Sequence, residues 1–208
     1  MKIKRKIQIL HAASLCFAES GYERTSIETI ARRAGVALGL VRYYFTSKEN
    51  LYSEATQKVI KGLGEHLNGL DFSSLTPKEA VRLFILEYLR FTSESSNSYW
   101  MIYQESPFAI LHQKEYAEAL GSASLEILVI LRDILEEVCP QDAMLKASII
   151  VASLHGIQRA RFSLKFREML SFEGVADFFA DNISDSSQFL ECNSVGMMSE
   201  IDHILLRR

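Results

Sequence analysis

Proline is nearly missing from this chain: three residues in 208, with only ten glycines beside them. An all-β protein full of tight turns would use more of both, so long helices are expected. Cysteine is sparse as well. Cys16, Cys139 and Cys192 lie far apart, which argues against a disulfide framework or a paired-cysteine zinc site. Cys16 falls on an apolar stripe and reads as a small buried hydrophobe. No run free of Asp, Glu, Lys and Arg exceeds twelve residues, the length of Ala147 to Gln158. A membrane-spanning helix needs ~20. The first ten residues are basic, but no long apolar core or small-residue cleavage pattern follows, so an unexported, cytoplasmic protein is expected. Also missing are a glycine-rich phosphate loop, Gly-x-Ser-x-Gly and His-Glu-x-x-His. A di-iron helical bundle needs two Glu-x-x-His motifs on separate helices. Only Glu200 and His203 have that spacing. No catalytic residue, metal ligand or cofactor is therefore assigned.

What is present is ordinary globular material, 48% hydrophobic and 24% charged, enough for one compact unit or two small ones. The net charge of −3 argues against a generic nucleic-acid binder. The charge is unevenly spread, however. Residues 1–50 carry nine Lys/Arg against four Asp/Glu, a balance of +5, and the remainder carries −8. Such a split suggests two functions in one chain, the basic part facing a polyanion.

Within the basic part, Ile3, Ile7, Leu10 and Phe17 recur at helical spacing, and Gly21 is placed to end that helix. Thr25 to Glu28 reads as a capping box, Thr25 accepting from the amide of residue 28. A short helix with Ile27, Ile30 and Ala31 inward then ends at Gly35, and a second short helix runs to about Phe45. Two short helices joined by a Gly-containing turn form a helix-turn-helix pattern, at about residues 26–45. Val36, Val41 and Phe45 anchor the second helix. Leu38, Gly39, Arg42 and Tyr43 are left on its outward face, with Tyr44 at the border.

Several short motifs occur here in one order: Ala12-Ala13, Phe17-Ala18, Gly21-Tyr22, Thr25-Ser26-Ile27, Ile30-Ala31, Ala34-Gly35-Val36, Gly39, Tyr43-Tyr44-Phe45, Ser47-Lys48-Glu49 and Leu51. Together they resemble the DNA-binding domain of the TetR family of bacterial transcriptional regulators, over about residues 3–55. The resemblance implies an all-α fold, with a helix-turn-helix domain over 1–50 and a larger helical effector-binding and dimerisation domain over 51–208. It implies a homodimer on a palindromic operator, two recognition helices entering successive major grooves, and a small-molecule effector. By matching position, Thr25 and Ser26 are phosphate contacts, Leu38, Gly39, Arg42, Tyr43 and Tyr44 face the groove, and Lys48 is a further phosphate contact. Arg42 suits guanine, whose O6 and N7 accept a guanidinium bidentately, although a phosphate contact alone is the other reading. Lys2, Lys4, Arg5 and Lys6 are expected to form an arm along the DNA backbone or in the minor groove, or simply to be solvated. Two positions depart from the family pattern. Ala37 stands where Ser or Thr is common, and Arg42 where Tyr is common. The first puts a cap or phosphate contact in doubt; the second changes sequence preference.

The remainder reads as helices. One is capped by Thr46 or Ser47 and ends near Gly69. One starts at Thr76-Pro77-Lys78-Glu79. A short aromatic helix lies around Tyr99 to Tyr103. Another runs over 110–138 with an interruption at Gly121-Ser122, then come Asp142 to Phe166, Ser171 to Leu190, and a short C-terminal piece at 195–206. The uncharged Ala147–Gln158 stretch needs enclosure, which dimerisation would complete. The family resemblance puts the dimer interface on the last two main helices, with Ala152, Gly156, Phe179 and Ile183 as candidates. Effector-pocket candidates are Phe84, Tyr88, Phe91, Trp100, Tyr103, Phe108, Phe162 and Phe166, each of which could instead be plain core. The expected effector is apolar or amphipathic, such as a lipid-like or aromatic molecule. The expected function is a ligand-released repressor. The rival class is an all-α ligand-binding or enzyme-like protein whose N-terminal domain does not bind DNA.

Overall fold

The computed structural model describes residues 2–94, 114–160 and 170–183. All regular structure among them is α-helical: α1 (Lys2–Arg24), α2 (Ile27–Arg33), α3 (Leu38–Tyr44), α4 (Lys48–Asn68), α5 (Pro77–Glu94), α6 (Lys114–Glu136), α7 (Ala143–Ala160) and α8 (Phe172–Asp181). The expected aromatic helix around Trp100 and the C-terminal piece at 195–206 lie outside the described residues. No described helix is long and apolar enough to cross a membrane.

The chain divides into two compact units, and the division does not fall at residue 50. The first holds α1–α4 and the described residues between Glu87 and Ile127. The reason lies in α4: Leu51, Tyr52 and Ala55 are buried in the same core as Ile9, Ala13, Phe17, Ile30, Val41 and Phe45. Helix α1 packs on α2 and α4, and α2 on α3. The rings of Phe17, Tyr22 and Tyr52 close the centre, with Phe17–Tyr52 and Tyr22–Tyr52 edge-to-face at 4.9 and 5.1 Å. Such ring pairs add about 0.5–1.5 kcal/mol beyond burial.

Gly21 marks a break in α1, as its position suggested. Its φ of 75° and ψ of 168° are open to glycine and strained for other residues. The helical path nevertheless resumes to Arg24. At the other end α1 already begins at Lys2, so Lys4, Arg5 and Lys6 lie on the helix and do not form an arm ahead of it.

In the second unit, the first turns of α5 bury Val81, Phe84 and Ile85, α6 buries Leu131 and Leu135, α7 buries Ala147, Ile150 and Leu154, and α8 buries Ala176 and Phe179. Arg82 Nε meets Asp177 at 2.5 Å and Lys78 pairs with Asp181, tying α5 to α8. The buried Lys146 donates to the Ile183 carbonyl at 2.7 Å. Two boundaries differ from expectation. Helix α6 runs through Gly121 without interruption; one helical glycine costs only ~1 kcal/mol against alanine. Helix α8 stops at Asp181, where Asn182 caps it, rather than continuing to residue 190.

Candidate nucleic-acid interface

The site is built on α2, α3 and the start of α4. Between α2 and α3 the chain turns at Gly35, whose φ of +62° is left-handed. The Val36 amide then donates to the Ala31 carbonyl at 3.0 Å, fixing the crossing of the two helices. Val41 is fully buried and Phe45 is 3% exposed. Because they are one helical turn apart, they hold the other side of α3 toward solvent. That side carries exposed Gly39, with Arg42 and Tyr43 each 68% exposed. Tyr44 is half-buried, its ring edge-on to Tyr43 at 5.2 Å. Leu38, expected outward, is half-buried and packs partly against the core. Ala37 occupies the N-cap position of α3 with no side-chain hydrogen bond.

The start of α4 is more tightly held. Ser47 accepts from the Asn50 amide at 3.1 Å. The Lys48 ammonium lies 4.1 Å from the centre of the Tyr22 ring and donates to the Glu23 carbonyl at 3.4 Å. The Tyr22 hydroxyl donates to Glu49 at 2.8 Å. Burial, and next this bond to a carboxylate, push the Tyr22 phenol well above its ordinary range. Glu49 is held below the usual carboxylate range, first by the Ser47 hydroxyl and then by its own amide and Tyr22. Sequence reasoning did not anticipate this Tyr22–Lys48–Glu49 junction. Its residues belong to the recognised motif but lie 26 and 27 positions apart, and only the fold brings them together.

Thr25 requires correction. It is 2% exposed, and its hydroxyl lies 2.7 Å from the Gly21 carbonyl and 3.1 Å from that of Cys16. Its amide donates to the Tyr22 carbonyl. Neither group is available to a phosphate. The cap of α2 is Ser26, which accepts from the Thr29 amide at 3.1 Å. The Cys16 thiol is pushed up, chiefly by burial, as expected of an inert core cysteine.

The basic residues are partly pinned. Lys6 pairs with Glu54 at 2.6 Å and lies over the Phe45 ring. Arg33 grips Glu19 with two nitrogens, which holds the Glu19 carboxyl low and raises the guanidinium further. Arg42 Nη2 stands 3.5 Å from Glu28 on α2, a partner the sequence did not announce. Lys4 is exposed.

The other candidates fare unevenly. Phe84 and Tyr88 are fully buried, each within its own unit. Phe91 is half-buried beside His66, ring centres 5.1 Å apart. Trp100, Tyr103, Phe108, Phe162 and Phe166 lie outside the described residues. On α7, Ala152 and Gly156 are exposed. Phe179 and Ile183 are 2% and 4% exposed, packed inside their own unit and so closed to a partner; Phe178, next in line, is 43% exposed. Among the described residues no cluster of three His, Cys, Asp or Glu could hold a metal.

A short second helix anchored through Val41 and Phe45, with an outward face of Gly39, Arg42 and Tyr43, defines a helix-turn-helix protein. Residues 9–55 match the family described as "Bacterial regulatory proteins, tetR family", so this N-terminal segment is similar to the DNA-binding domain of that family. The chain is 28% identical over 116 residues to the HTH-type transcriptional regulator PksA of Bacillus subtilis (strain 168), covering 56% of each protein. It is 32% identical over 103 residues to the Fatty acid metabolism regulator protein of the same organism, covering 47% of this chain and 51% of that one. The chain thus spans about half the length of the curated relatives it matches. A crystal structure of the transcriptional regulator FadR from Bacillus subtilis in complex with stearoyl-CoA shares the fold. Its TM-score is 0.70 at 21% identity, over 86% of this chain and 97% of that one.

Proposed function

We propose that the chain is a DNA-binding transcriptional regulator, acting as a homodimer on a palindromic operator and released by an apolar or amphipathic effector. The exposed face of α3 carries this reading. An arginine and a tyrosine that are each 68% exposed, on a helix whose opposite side is fully buried, are ready for contact at no cost to the fold. Arg42 reads guanine; Tyr43 and Tyr44 offer hydroxyls to phosphate and ring edges to thymine methyls; Gly39 lets α3 approach closely. Leu38 borders the contact, and Ser26, Lys48 and Lys4 meet phosphate. Thr25 is excluded from the set by its burial.

The dimer forms through α7 and α8. Leu145, Ile149, Ala152 and Gly156 recur at helical spacing on the accessible side of α7, and none is charged. The exposed Phe178 of α8 replaces Phe179 in this role. Repression is the proposed sign. For the effector, the apolar character expected from the sequence agrees with a relative named for fatty acid metabolism and with a fold relative bound to stearoyl-CoA. An acyl-chain-bearing molecule is therefore the first to try.

The test is fluorescence anisotropy of the full chain on duplexes from beside its own gene. A saturable complex that weakens steeply with added salt is expected; no such complex with any palindromic segment refutes the regulator reading. Stearoyl-CoA should then release the DNA and shift the emission of Trp100, the single tryptophan. A DNA complex that survives saturating acyl-CoA refutes the effector class alone.

A further inference from the structure

We infer that Glu28 is a positioning residue for base readout, holding the Arg42 guanidinium in the orientation that pairs with guanine. The inference rests on the DNA-binding reading above and deepens it.

The observation is an exposed ion pair that joins α2 to α3. Arg42 Nη2 and Glu28 Oε1 are 3.5 Å apart, with side chains 68% and 61% exposed. A pair so open to water contributes little to stability. Glu28 also places a carboxylate beside the face proposed to meet a polyanion, where like charges repel. Two other acidic residues of the domain have partners elsewhere: Glu19 grips Arg33 and Glu49 accepts from Tyr22. The tie of Glu28 is to the candidate base-reading arginine.

The chemistry supplies a role. A guanidinium has five N–H donors in a rigid planar fork. Guanine uses two of them, so a carboxylate can hold another without blocking readout. A free, exposed arginine must be frozen when it enters the groove, at a cost in side-chain entropy. Tethering α3's arginine to α2 bears part of that cost before DNA arrives. Once the groove excludes water around it, the contact strengthens. The carboxylate also opposes a slide of the guanidinium onto the nearest phosphate, so Glu28 favours base contact over backbone contact. Its affinity for non-specific DNA is lowered by the same charge.

The experiment uses the full-length protein. Duplexes are selected from a randomised palindromic library, and anisotropy is measured on the best duplex, its single-base-pair variants and a scrambled control. Arg42→Ala is expected to flatten preference at one base pair of each half-site. Glu28→Gln should lower discrimination at that same pair about tenfold, the order of one bidentate base contact, while binding to scrambled DNA holds or tightens. Glu28→Asp should recover part of the loss, and Glu28→Gln in the Arg42→Ala background should change discrimination no further. If Glu28→Gln tightens all duplexes equally with preference intact, or acts as strongly without Arg42, the inference is overturned. A lowered melting temperature with unchanged preference overturns it too, since Glu28 then serves only the first turn of α2. A wild-type chain that selects no duplex overturns the DNA-binding reading itself, and this one with it.

Discussion

Thr25 and Ser26 are neighbours with similar hydroxyls, and the fold uses them in opposite ways. The Thr25 hydroxyl turns inward to the carbonyls of Gly21 and Cys16, while the Ser26 hydroxyl caps α2. Both fit a capping pattern on paper, and spacing alone does not show that the fold sets Thr25 within reach of the Gly21 and Cys16 carbonyls. Thr25→Val keeps the shape but removes the donor. It should cost about 1–2 kcal/mol in urea unfolding, while DNA affinity per folded molecule stays unchanged. A loss of affinity without loss of stability would restore Thr25 as a phosphate contact. The outward placement of Arg42 and Tyr43 was legible, because Val41 and Phe45 fix the inward side. The facing of Glu28 and Arg42 was not, because it depends on how α2 and α3 cross.

At the scale of elements, starts written in side-chain chemistry were readable. At α5 the Thr76 amide and hydroxyl both donate to Glu79, closing the box that Thr76-Pro77-Lys78-Glu79 announced. Ser47 and Gly69 bound α4 where expected. Less readable were places where a residue permits two outcomes. Gly121 sits within α6, its cost offset by the helix around it, and Asn182 ends α8 with its side chain on the Phe178 carbonyl. Helix α3 remains the one exception to capping among α2, α3, α4 and α8. Its N-cap residue Ala37 has φ −65° and ψ 142°, the extended geometry a capping serine adopts. Ala37→Ser should therefore raise stability by about 0.5–1 kcal/mol. Thermal unfolding checks this; no gain would mean that the new hydroxyl fails to reach the α3 amides.

For the whole molecule, the proposed dimer predicts that Ala152→Glu places a charge in an apolar contact. Sedimentation should then show monomers, and operator binding should weaken; a dimer that persists removes α7 from the interface. Acid sensitivity is a second global property. Burial pushes His155 down to about 4, whereas an unfolded histidine titrates near 6.5. Between these values the unfolded chain binds a proton that the folded one refuses, so stability falls as pH drops from 6.5 toward 4. Carboxylates held low, such as Glu49, add their loss only at the acid end of that range and below. Melting temperature across this interval should decline, and His155→Gln should flatten the decline; an unchanged slope would assign it to other groups.

The ion pairs among the first fifty residues have a consequence for how salt would act on the proposed DNA binding. Of the nine Lys/Arg in the first fifty residues, Lys6, Arg33 and Arg42 already face a carboxylate. Each condensed cation released from DNA corresponds to a phosphate neutralised by a free protein charge, with a logarithmic salt slope of about −0.9 per contact. A cation that brings its own anion releases fewer. The salt slope should therefore be shallower than the lysines and arginines suggest, and it should steepen when Glu19 or Glu54 is made neutral. In thermodynamic terms, a protein so paired carries some of its own counterions, and the proposed DNA binding would exchange them for phosphates rather than for water.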